Sequence, residues 1–151
     1  RTETLQDYIT ISKVREKGSI KKSVEDKIVE DGIMKTLVDN NIPFVIAGSI
    51  RDRYKLPETY NNAYEAQDAM RFHTRKATML ICLSSVLFTI ASGNMTPSYN
   101  TFNGVTRPVY IYSVDLQEFS VNKLTDRGTL EVKTLVTNVH DFLYQMLGEL
   151  K

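Results

Sequence analysis

Several short turns in this sequence carry residues that can hold a phosphate or a ribose. The first, Gly48-Ser49-Ile50-Arg51-Asp52, follows an apolar run and precedes a helical segment. Its glycine lets the backbone approach a ligand, Ser49 and the following amides can donate to a phosphate, and Arg51 can pair with it bidentately. The alternative is an ordinary tight turn in which Arg51 and Asp52 pair with each other. Short glycine motifs match by chance too often for spacing to separate the two.

Three further turns follow along the chain. Gly93-Asn94-Met95 comes after a helical segment, where a glycine most often forms a left-handed cap. Asp115 ends an apolar run, so it can accept hydrogen bonds from both ribose hydroxyls of an adenosine, or instead cap the next helix. Thr137 and Asn138 have the same two readings, as cap residues or as ligands to a base or ribose. Four such turns predict a single ligand-binding edge.

The elements that must position these turns alternate between strand and helix. Short apolar runs predict four strands, which are Phe44 to Ala47, Thr78 to Leu83, Val109 to Val114 and Val132 to Val136. Helical spacing of apolar residues predicts the helices between and after them, which are Asn62 to Lys76, Ser85 to Ser92, Leu116 to Leu124 and Val139 to Leu150. In the last helix Phe142, Leu143, Met146, Leu147 and Leu150 are expected to face inward. The segment from Asn94 to Arg107 is predicted to be an exposed loop.

This alternation predicts an α/β fold. Strands that are apolar throughout, rather than at every second residue, are typical of a parallel sheet, here a three-layer, Rossmann-like sheet with helices on both faces. Ligands of such sheets gather at the carboxyl ends of the strands. Residues 42–151 are expected to form this nucleotide-binding domain. Residues 1–41 are predicted to be helical, with one helix ended by Gly18 and a second capped by Ser19, and to belong to the same domain.

Composition limits the class of partner. With 151 residues the chain can bury the core of one domain, and its 19 basic and 18 acidic side chains nearly cancel, which gives no electrostatic case for nucleic acid or an anionic membrane. The single cysteine, Cys82, excludes a disulfide framework within one chain and permits a reducing compartment such as the cytoplasm. Cys82 is expected to pack within its strand. His73 and His140 lie far apart in sequence, so we expect no metal site.

Taken together, these segments resemble the C-terminal, NAD-binding portion of the archaeal and cyanobacterial ornithine cyclodeaminase family. This family is also described by a region shared with plant lysine-ketoglutarate reductase/saccharopine dehydrogenase (LOR/SDH) bifunctional enzymes. The matching stretches run in order through most of the chain after Gly18. They are Gly18-Ser19-Ile20, Pro43 to Asp52, Ala66 to Arg71, Gly93-Asn94-Met95 with Pro97-Ser98, Val114-Asp115, Lys123-Leu124, Asp126-Arg127-Gly128, Leu135 to Val139 and Phe142-Leu143.

The resemblance implies an NAD domain of the deoxyhypusine synthase type. It also implies that NAD is a catalytic shuttle in the conversion of ornithine to proline and ammonia. The cofactor contacts that it implies are Gly48 to Asp52, Gly93 to Met95, Asp115 and Asn138. Because the substrate-side domain of the family has no counterpart here, the chain is expected to be a fragment of a longer protein, or to work with a partner chain, and to form a homo-oligomer. Catalytic residues cannot be assigned from the sequence.

Two positions depart from the family pattern. Phe88 stands where family members carry a histidine, and a phenylalanine can neither exchange a proton nor donate a hydrogen bond. Asn138 stands where the family has an aspartate. The sequence therefore leaves three functions open. These are an ornithine cyclodeaminase-like enzyme part, which we rank first, a non-catalytic nucleotide-binding or assembly module, and a dehydrogenase for a related amino acid.

Overall fold

The structure is a computed structural model that describes residues 2–48, 54–126 and 131–151 of the chain. The helices in these ranges are α1 (Thr2–Lys17), α2 (Ile20–Glu25), α3 (Gly32–Asp39), α4 (Ala63–Thr74), α5 (Val86–Met95), α6 (Glu118–Val121), α7 (Lys123–Asp126) and α8 (Val139–Glu149). The strands are β1 (Met79–Leu83), β2 (Tyr99–Phe102), β3 (Val105–Pro108), β4 (Tyr110–Asp115) and β5 (Val132–Val136). The chain divides into two compact units, residues 1–69 and residues 70–151.

A parallel sheet forms the centre of the second unit. Its strand order is β1-β4-β5, and both pairs are parallel, with Leu83 opposite Val114 and Asp115 opposite Val136. The central strand carries the core, because Ile111 and Val114 are at most 2% exposed. Helices α5 to α8 alternate with these strands and flank the sheet. The predicted α/β fold with a parallel, helix-flanked sheet is confirmed, whereas the likeness to deoxyhypusine synthase remains a prediction.

Exposure follows strand position in the sheet. Side chains of β1 alternate between exposed and half-buried, whereas three of the six side chains of β4 are buried. The expectation that every strand is buried on both faces is therefore wrong for the outer strands, and β4 comes nearest to it. On α8 the expected inward face is also wrong in part, since Leu143, Leu147 and Leu150 are exposed. No part of the described chain covers these three side chains.

The first predicted strand is wrong. Phe44 to Ala47 is extended but makes only an isolated parallel bridge, between Ala47 and Tyr60. An apolar run becomes a strand only where a second backbone segment pairs with it over several residues. In the described part of the first unit, this run pairs with a second segment at one position, the bridge from Ala47 to Tyr60, so it does not form a strand. The N-terminal helices match the prediction more closely, since α1 ends before Gly18 and the Ser19 hydroxyl caps α2 by accepting from the Lys22 amide.

The predicted loop from Asn94 to Arg107 is a β-hairpin. Strands β2 and β3 are antiparallel, and Asn103-Gly104 joins them with φ of +50° and +76° at the two turn residues. Two successive positive φ angles match the twist of a two-residue hairpin turn, for which Asn-Gly is the preferred sequence. Exposure of residues 101–107 agrees with the prediction, but their backbone is regular.

Two helices also differ from the prediction. The helix expected from Leu116 to Leu124 is divided into α6 and α7 at Asn122. Helix α5 extends through Met95, three residues beyond the predicted end at Ser92, so Gly93 lies inside it. No helix in the described ranges has both the length and the apolar character needed to cross a membrane.

Candidate functional site

The carboxyl ends of the three parallel strands lie side by side at one edge of the sheet. Beyond the last paired residues, the Ser84 amide donates to the Val114 carbonyl at 2.9 Å and the Thr137 amide donates to the Asp115 carbonyl at 3.0 Å. Hydrogen bonding thus continues from the strands into the turns that follow them. In open α/β sheets this edge is where ligands bind. We refer to it as the carboxyl edge.

Asp115 is the last residue of the central strand and is half-buried. Its Oδ1 atom accepts a hydrogen bond from the Gln117 backbone amide at 3.0 Å, which fixes the turn that leads into α6. The N-cap of α6 is Gln117, so the predicted capping role of Asp115 is wrong, and its carboxylate instead stabilises the turn before the helix. A carboxylate has two oxygens and about four lone-pair positions, so one turn bond leaves capacity for the two hydroxyls of a ribose.

Asn138 lies at the same edge, one residue beyond Thr137. It is the N-cap of α8, and its Oδ1 atom accepts from the His140 amide at 2.8 Å. The capping interpretation of Asn138 is confirmed. Its amide nitrogen carries two further donors that can serve a ligand.

Gly93 and its neighbours lie at the end of α5. Helix α5 follows β1, and the carbonyl of its last residue, Met95, lies 3.5 Å from Oγ1 of Thr74, the last residue of α4. Gly93-Asn94-Met95 is therefore the end of a helix and not a turn that directly follows a strand, and its contact with a cofactor remains a prediction. Gly93 is also not a left-handed cap, because its φ is not positive.

The requirement for glycine at position 93 comes from packing. A Cβ atom there would lie 2.7 and 2.8 Å from the two δ-methyl groups of Leu124, which is 0% exposed. Separations under 3 Å are well inside van der Waals contact, so α5 and α7 can approach this closely only where the side chain is absent. This non-local contact leaves no signal in the sequence around Gly93.

Gly48 belongs to the first unit. Its amide donates to the Tyr60 carbonyl at 3.0 Å, and a Cβ atom on it would lie 2.9 Å from that oxygen and 3.2 Å from Lys55 Nζ. The approach of a ligand to this glycine remains a prediction, and in the structure the groups close to it belong to the protein's own chain. Ser49, Ile50, Arg51 and Asp52 lie outside the described residues.

Two serines at the carboxyl edge escaped the sequence prediction. Ser84 follows β1 with φ of +50°, a left-handed conformation that is uncommon for a serine, and Ser85 is the N-cap of α5 without a side-chain capping bond. The first amide groups of α5 therefore face this edge together with two hydroxyl side chains. Helix N-termini of this kind bind phosphate groups. A Ser-Ser pair directly after an apolar run is the signal that points to them.

Exposed apolar side chains surround the same edge. They come from the first turn of α5, the residue after β4, and the first turn of α6, and they are Leu87 (79% exposed), Leu116 (67%) and Phe119 (70%). Lys123 Nζ lies 3.5 Å from the centre of the Phe119 ring. Apolar groups gathered beside polar donors are typical of sites that cover the flat face of a base.

Other candidate groups have ordinary surroundings. Burial raises the pKa of the Cys82 thiol, and a hydrogen bond with Thr89 opposes that rise, so the thiol is not activated as a nucleophile. His73 packs edge-to-face on Phe72, with 5.2 Å between ring centres, and His140 is exposed. Within the described residues, no three or more His, Cys, Asp and Glu side chains are arranged to hold a metal ion.

A groove of about 550 Å³ lies between α2 and α3 in the first unit. It is lined by both charge signs, including Lys21, Glu25 and Lys35, and Lys35 pairs with Asp39 within the same helix. Exposed charges of both signs are typical of a solvated helix surface. We assign no ligand to this groove.

These features define an α/β domain of the Rossmann class with a polar carboxyl edge. The family model for the arginine dihydrolase ArgZ-like, C-terminal, Rossmann fold matches residues 4–146, and the chain belongs to this family.

Relatives of known activity share this domain as part of longer chains. The ornithine cyclodeaminase of Methanococcus maripaludis is 39% identical over 141 residues, which cover 93% of this chain and 32% of the relative. A crystal structure of a LOR/SDH protein from the same organism superimposes with a TM-score of 0.82 at 38% identity, covering 93% of this chain and 40% of that chain. This chain thus spans about a third of the length of the archaeal enzyme.

A cyanobacterial relative has been solved with ligands. The bifunctional arginine dihydrolase/ornithine cyclodeaminase AgrE of Nostoc sp. is 41% identical over 140 residues, covering 93% of this chain and 19% of AgrE. Its ternary complex with ornithine and NAD+ superimposes with a TM-score of 0.79 at 42% identity, covering 93% of this chain and 20% of that chain. The family resemblance noted from the sequence is thereby confirmed.

Proposed function

We propose that this chain is the NAD-binding portion of an ornithine cyclodeaminase-like enzyme. The observation that carries the proposal is the carboxyl edge of the sheet, where a carboxylate, two serines and the start of a helix lie together in a fold whose relative AgrE was solved with NAD+ and ornithine. The donor and acceptor set suits a dinucleotide, because it offers acceptors for ribose and donors for phosphate.

Three positions have distinct roles in this proposal. Asp115 accepts hydrogen bonds from a ribose of NAD through the carboxylate capacity that the Gln117 turn does not use. Ser84 and Ser85, with the first amides of α5, hold the pyrophosphate. Asn138 donates its amide hydrogens to the nucleotide while its oxygen caps α8. Gly48 to Asp52 and Gly93 to Met95, which the family resemblance implies as cofactor contacts, remain predictions.

The cofactor supplies the redox chemistry. When bound, NAD accepts a hydride from the amine-bearing carbon of ornithine and later returns it, so that ornithine becomes proline and ammonia without net oxidation. Residues of this chain orient the dinucleotide at the carboxyl edge, and the exposed apolar side chains there shield it from water. The contribution of this chain to the reaction is to bind and align the cofactor.

The proposal also includes another part of the enzyme that completes the cofactor and substrate site. The chain spans about a third of the archaeal relative and a fifth of AgrE. Leu87, Leu116 and Phe119 are more than half exposed beside the proposed cofactor site. Apolar groups at that position require a cover. We propose that the region corresponding to the rest of the relatives, or a partner chain, covers them and supplies the ornithine site.

Substitution of Asp115 tests the cofactor site. Asp115→Asn keeps an oxygen for the Gln117 turn but loses the carboxylate, and Asp115→Ala loses both. We expect NAD affinity, measured by isothermal titration calorimetry on the intact protein, to fall about tenfold in the asparagine variant and further in the alanine variant. Asp7→Ala, at an exposed position of α1, is the control and should bind like the wild type. Equal affinity in all four proteins would remove Asp115 from the site.

Phe88 favours one competing function, a module that binds nucleotide without catalysis. It replaces a family histidine and is 45% exposed on α5. The two functions differ in turnover. NAD binding with no ornithine-dependent ammonia release from the purified full-length protein, and no gain of release in Phe88→His, supports the module. Ammonia release by the wild type establishes the enzyme.

A further inference from the structure

A small cavity in the first unit is lined by two cationic side chains. It has a volume of about 230 Å³, and its walls come from α1 and from residues 46–47, 54–56 and 59. Every described residue that lines it belongs to the first unit. We refer to it as the cationic cavity. Its polar lining includes Arg15, Lys55 and Thr59, and its apolar lining includes Ile11, Ile46 and Leu56.

Arg15 brings a guanidinium group that is fixed on one side. Its Nη2 atom donates to the Tyr54 carbonyl at 2.6 Å, and its guanidinium carbon lies 5.8 Å from the centre of the Tyr54 ring. The Nε atom of the same group is inaccessible to solvent and has no hydrogen-bond partner among the described residues. A guanidinium has five N–H donors, so the bond to Tyr54 leaves most of them for a ligand.

Lys55 and Thr59 add donors that the described chain also leaves unpaired. Lys55 is half-buried, and no carboxylate among the described residues lies within ion-pair distance of its Nζ atom. The Thr59 hydroxyl is inaccessible to solvent and has no partner among these residues. Buried polar groups are nearly always hydrogen-bonded, and a bound water or ion is one explanation for an exception. Two exceptions in a cavity that also carries two cations point to an anion.

The rest of the wall determines which anion fits. Ile11, Ile46 and Leu56 offer aliphatic surface in the same cavity as the two cations. A carboxylate with an aliphatic chain gains from burial against this surface, whereas an inorganic anion does not. The described lining includes no acidic side chain, so the ammonium group of an amino acid would be buried there without a partner. The volume suits a small acid and is too small for a whole nucleotide.

We propose that the cationic cavity binds a small aliphatic carboxylic acid. Its carboxylate pairs with Arg15 and Lys55 and accepts a hydrogen bond from Thr59, and its aliphatic body lies against the three apolar side chains. Hydrogen bonds from a charged donor to a carboxylate are about twice as strong as those between neutral groups. The inference does not depend on the proposed function, because the cavity belongs to the first unit and NAD is assigned to the carboxyl edge of the second.

Three probes with the same carbon skeleton test this chemistry. They are 4-methylpentanoate, its neutral amide 4-methylpentanamide, and leucine, which adds an ammonium group to the same acid. In an NMR titration of the intact protein, we expect 4-methylpentanoate to bind with a Kd of about 1 mM and to shift the amide signals of Ala47, Lys55 and Thr59. The amide and leucine should bind at least about tenfold more weakly. Equal binding of all three probes, or no saturable shift with the acid, would overturn the proposal.

Substitution of Lys55 tests the cationic side of the cavity. Lys55→Met keeps most of the aliphatic stem and removes the charge, whereas Lys55→Arg keeps the charge. We expect the Kd of 4-methylpentanoate to rise about tenfold in the methionine variant and much less in the arginine variant. Lys13→Met, at an exposed position of α1 outside the cavity, is the control and should bind like the wild type. Unchanged affinity in Lys55→Met would contradict the ion pair.

Thr59→Val separates ligand binding from a structural role. Valine replaces the hydroxyl with a methyl group and so removes a buried polar atom without a partner. The thermal unfolding midpoint of the free protein should therefore stay at or above that of the wild type, while the affinity for 4-methylpentanoate falls about threefold to tenfold. A lowered midpoint with unchanged affinity would show that the hydroxyl serves the fold alone, against the site as proposed.

Competition with NAD keeps this inference distinct from the proposed function. Saturating NAD should leave the Kd of 4-methylpentanoate unchanged, because the two ligands are assigned to different units. If NAD displaces the acid, the cations of the cavity serve the cofactor, and the inference fails while the proposed function stands. If the protein does not bind NAD, the proposed function fails, and the titrations with the acid still decide the inference.

Discussion

Gly93 shows how one missing side chain determines a helix contact. Alanine at this position would place Cβ within 2.8 Å of Leu124, although alanine favours helix by about 1 kcal/mol over glycine. The steric term should dominate, so Gly93→Ala is expected to lower the free energy of unfolding by about 1–3 kcal/mol in urea titration. Adding Leu124→Val should recover part of the loss, because the two residues touch.

The matched control for Gly93 lies in α8. A Cβ atom at Gly148 would have no neighbour within 4 Å, so Gly148→Ala should raise the free energy of unfolding by up to about 1 kcal/mol through helix propensity. Destabilisation of similar size at both positions would show that packing against Leu124 is not the cause.

Cys82 predicts a dependence of stability on pH. Burial raises the pKa of its thiol in the folded protein, so the unfolded chain loses this proton first as the pH increases. The contribution of Cys82 to stability is therefore present below the ordinary thiol pKa of about 8.5, and it is lost as the pH rises through the folded pKa. Between pH 7.5 and 9.5 the wild type should lose more unfolding free energy than Cys82→Ala, by at most about 1.4 kcal/mol per pH unit.

The difference in unfolding free energy between the wild type and Cys82→Ala isolates the contribution of the thiol. Tyrosine and lysine side chains titrate in both, so their contributions cancel in the difference. Parallel pH profiles for the wild type and Cys82→Ala would mean that the thiol has the same pKa in the folded and unfolded states.

At the scale of elements, the sequence predicts the parallel strands better than the local hairpin. The predicted bounds of the strands now called β1, β4 and β5 agree with the structure within one residue, because each is an apolar run bounded by turn residues. The strands of the hairpin are four residues long and mostly exposed, so no core-facing pattern marks them. The Asn103-Gly104 pair is a sequence signal for a hairpin turn, but within a polar stretch the same pair also fits an irregular loop.

The hairpin turn makes a prediction of its own. Gly104 has φ of +76°, a region that costs an alanine about 1–2 kcal/mol and an asparagine less. Gly104→Ala should therefore lower hydrogen-exchange protection in β2 and β3, and Gly104→Asn should lower it less. The protection of β4 and β5 serves as the internal reference. Equal protection in all three proteins would show that this turn does not stabilise the hairpin.

The candidate site was predictable where position in the sheet determines it. Asp115 and Asn138 lie at the carboxyl edge because each follows a strand, and strand ends can be read from the sequence. Ser84 and Ser85 were missed because the sequence prediction begins the helix at Ser85 and marks neither serine as a turn residue. The role of Gly93 depends on Leu124, which is distant in sequence, and no local pattern reports such a contact.

At the scale of the whole molecule, the chain presents surfaces that its own residues leave uncovered. Exposed apolar side chains surround the carboxyl edge and continue along α8, where Tyr144 is 81% exposed. The relatives carry this domain within chains that are three to five times longer, as the coverage of 32% and 19% shows. Under the proposed function, these apolar faces are covered by parts that correspond to the rest of the relatives.

The position of the β2–β3 hairpin has a consequence for the order of folding. The hairpin lies within the connection from β1 to β4. The side-chain amide of Asn100 in β2 donates to the backbone carbonyls of Arg75 and Ala77, which precede β1 in the chain. Hairpins close within about 1–10 μs, well before distant strands find each other, and a preformed hairpin shortens the loop that the parallel pair must close. We therefore expect the hairpin to bring β1 and β4 into register, so that the parallel sheet begins to form at the connection between these two strands.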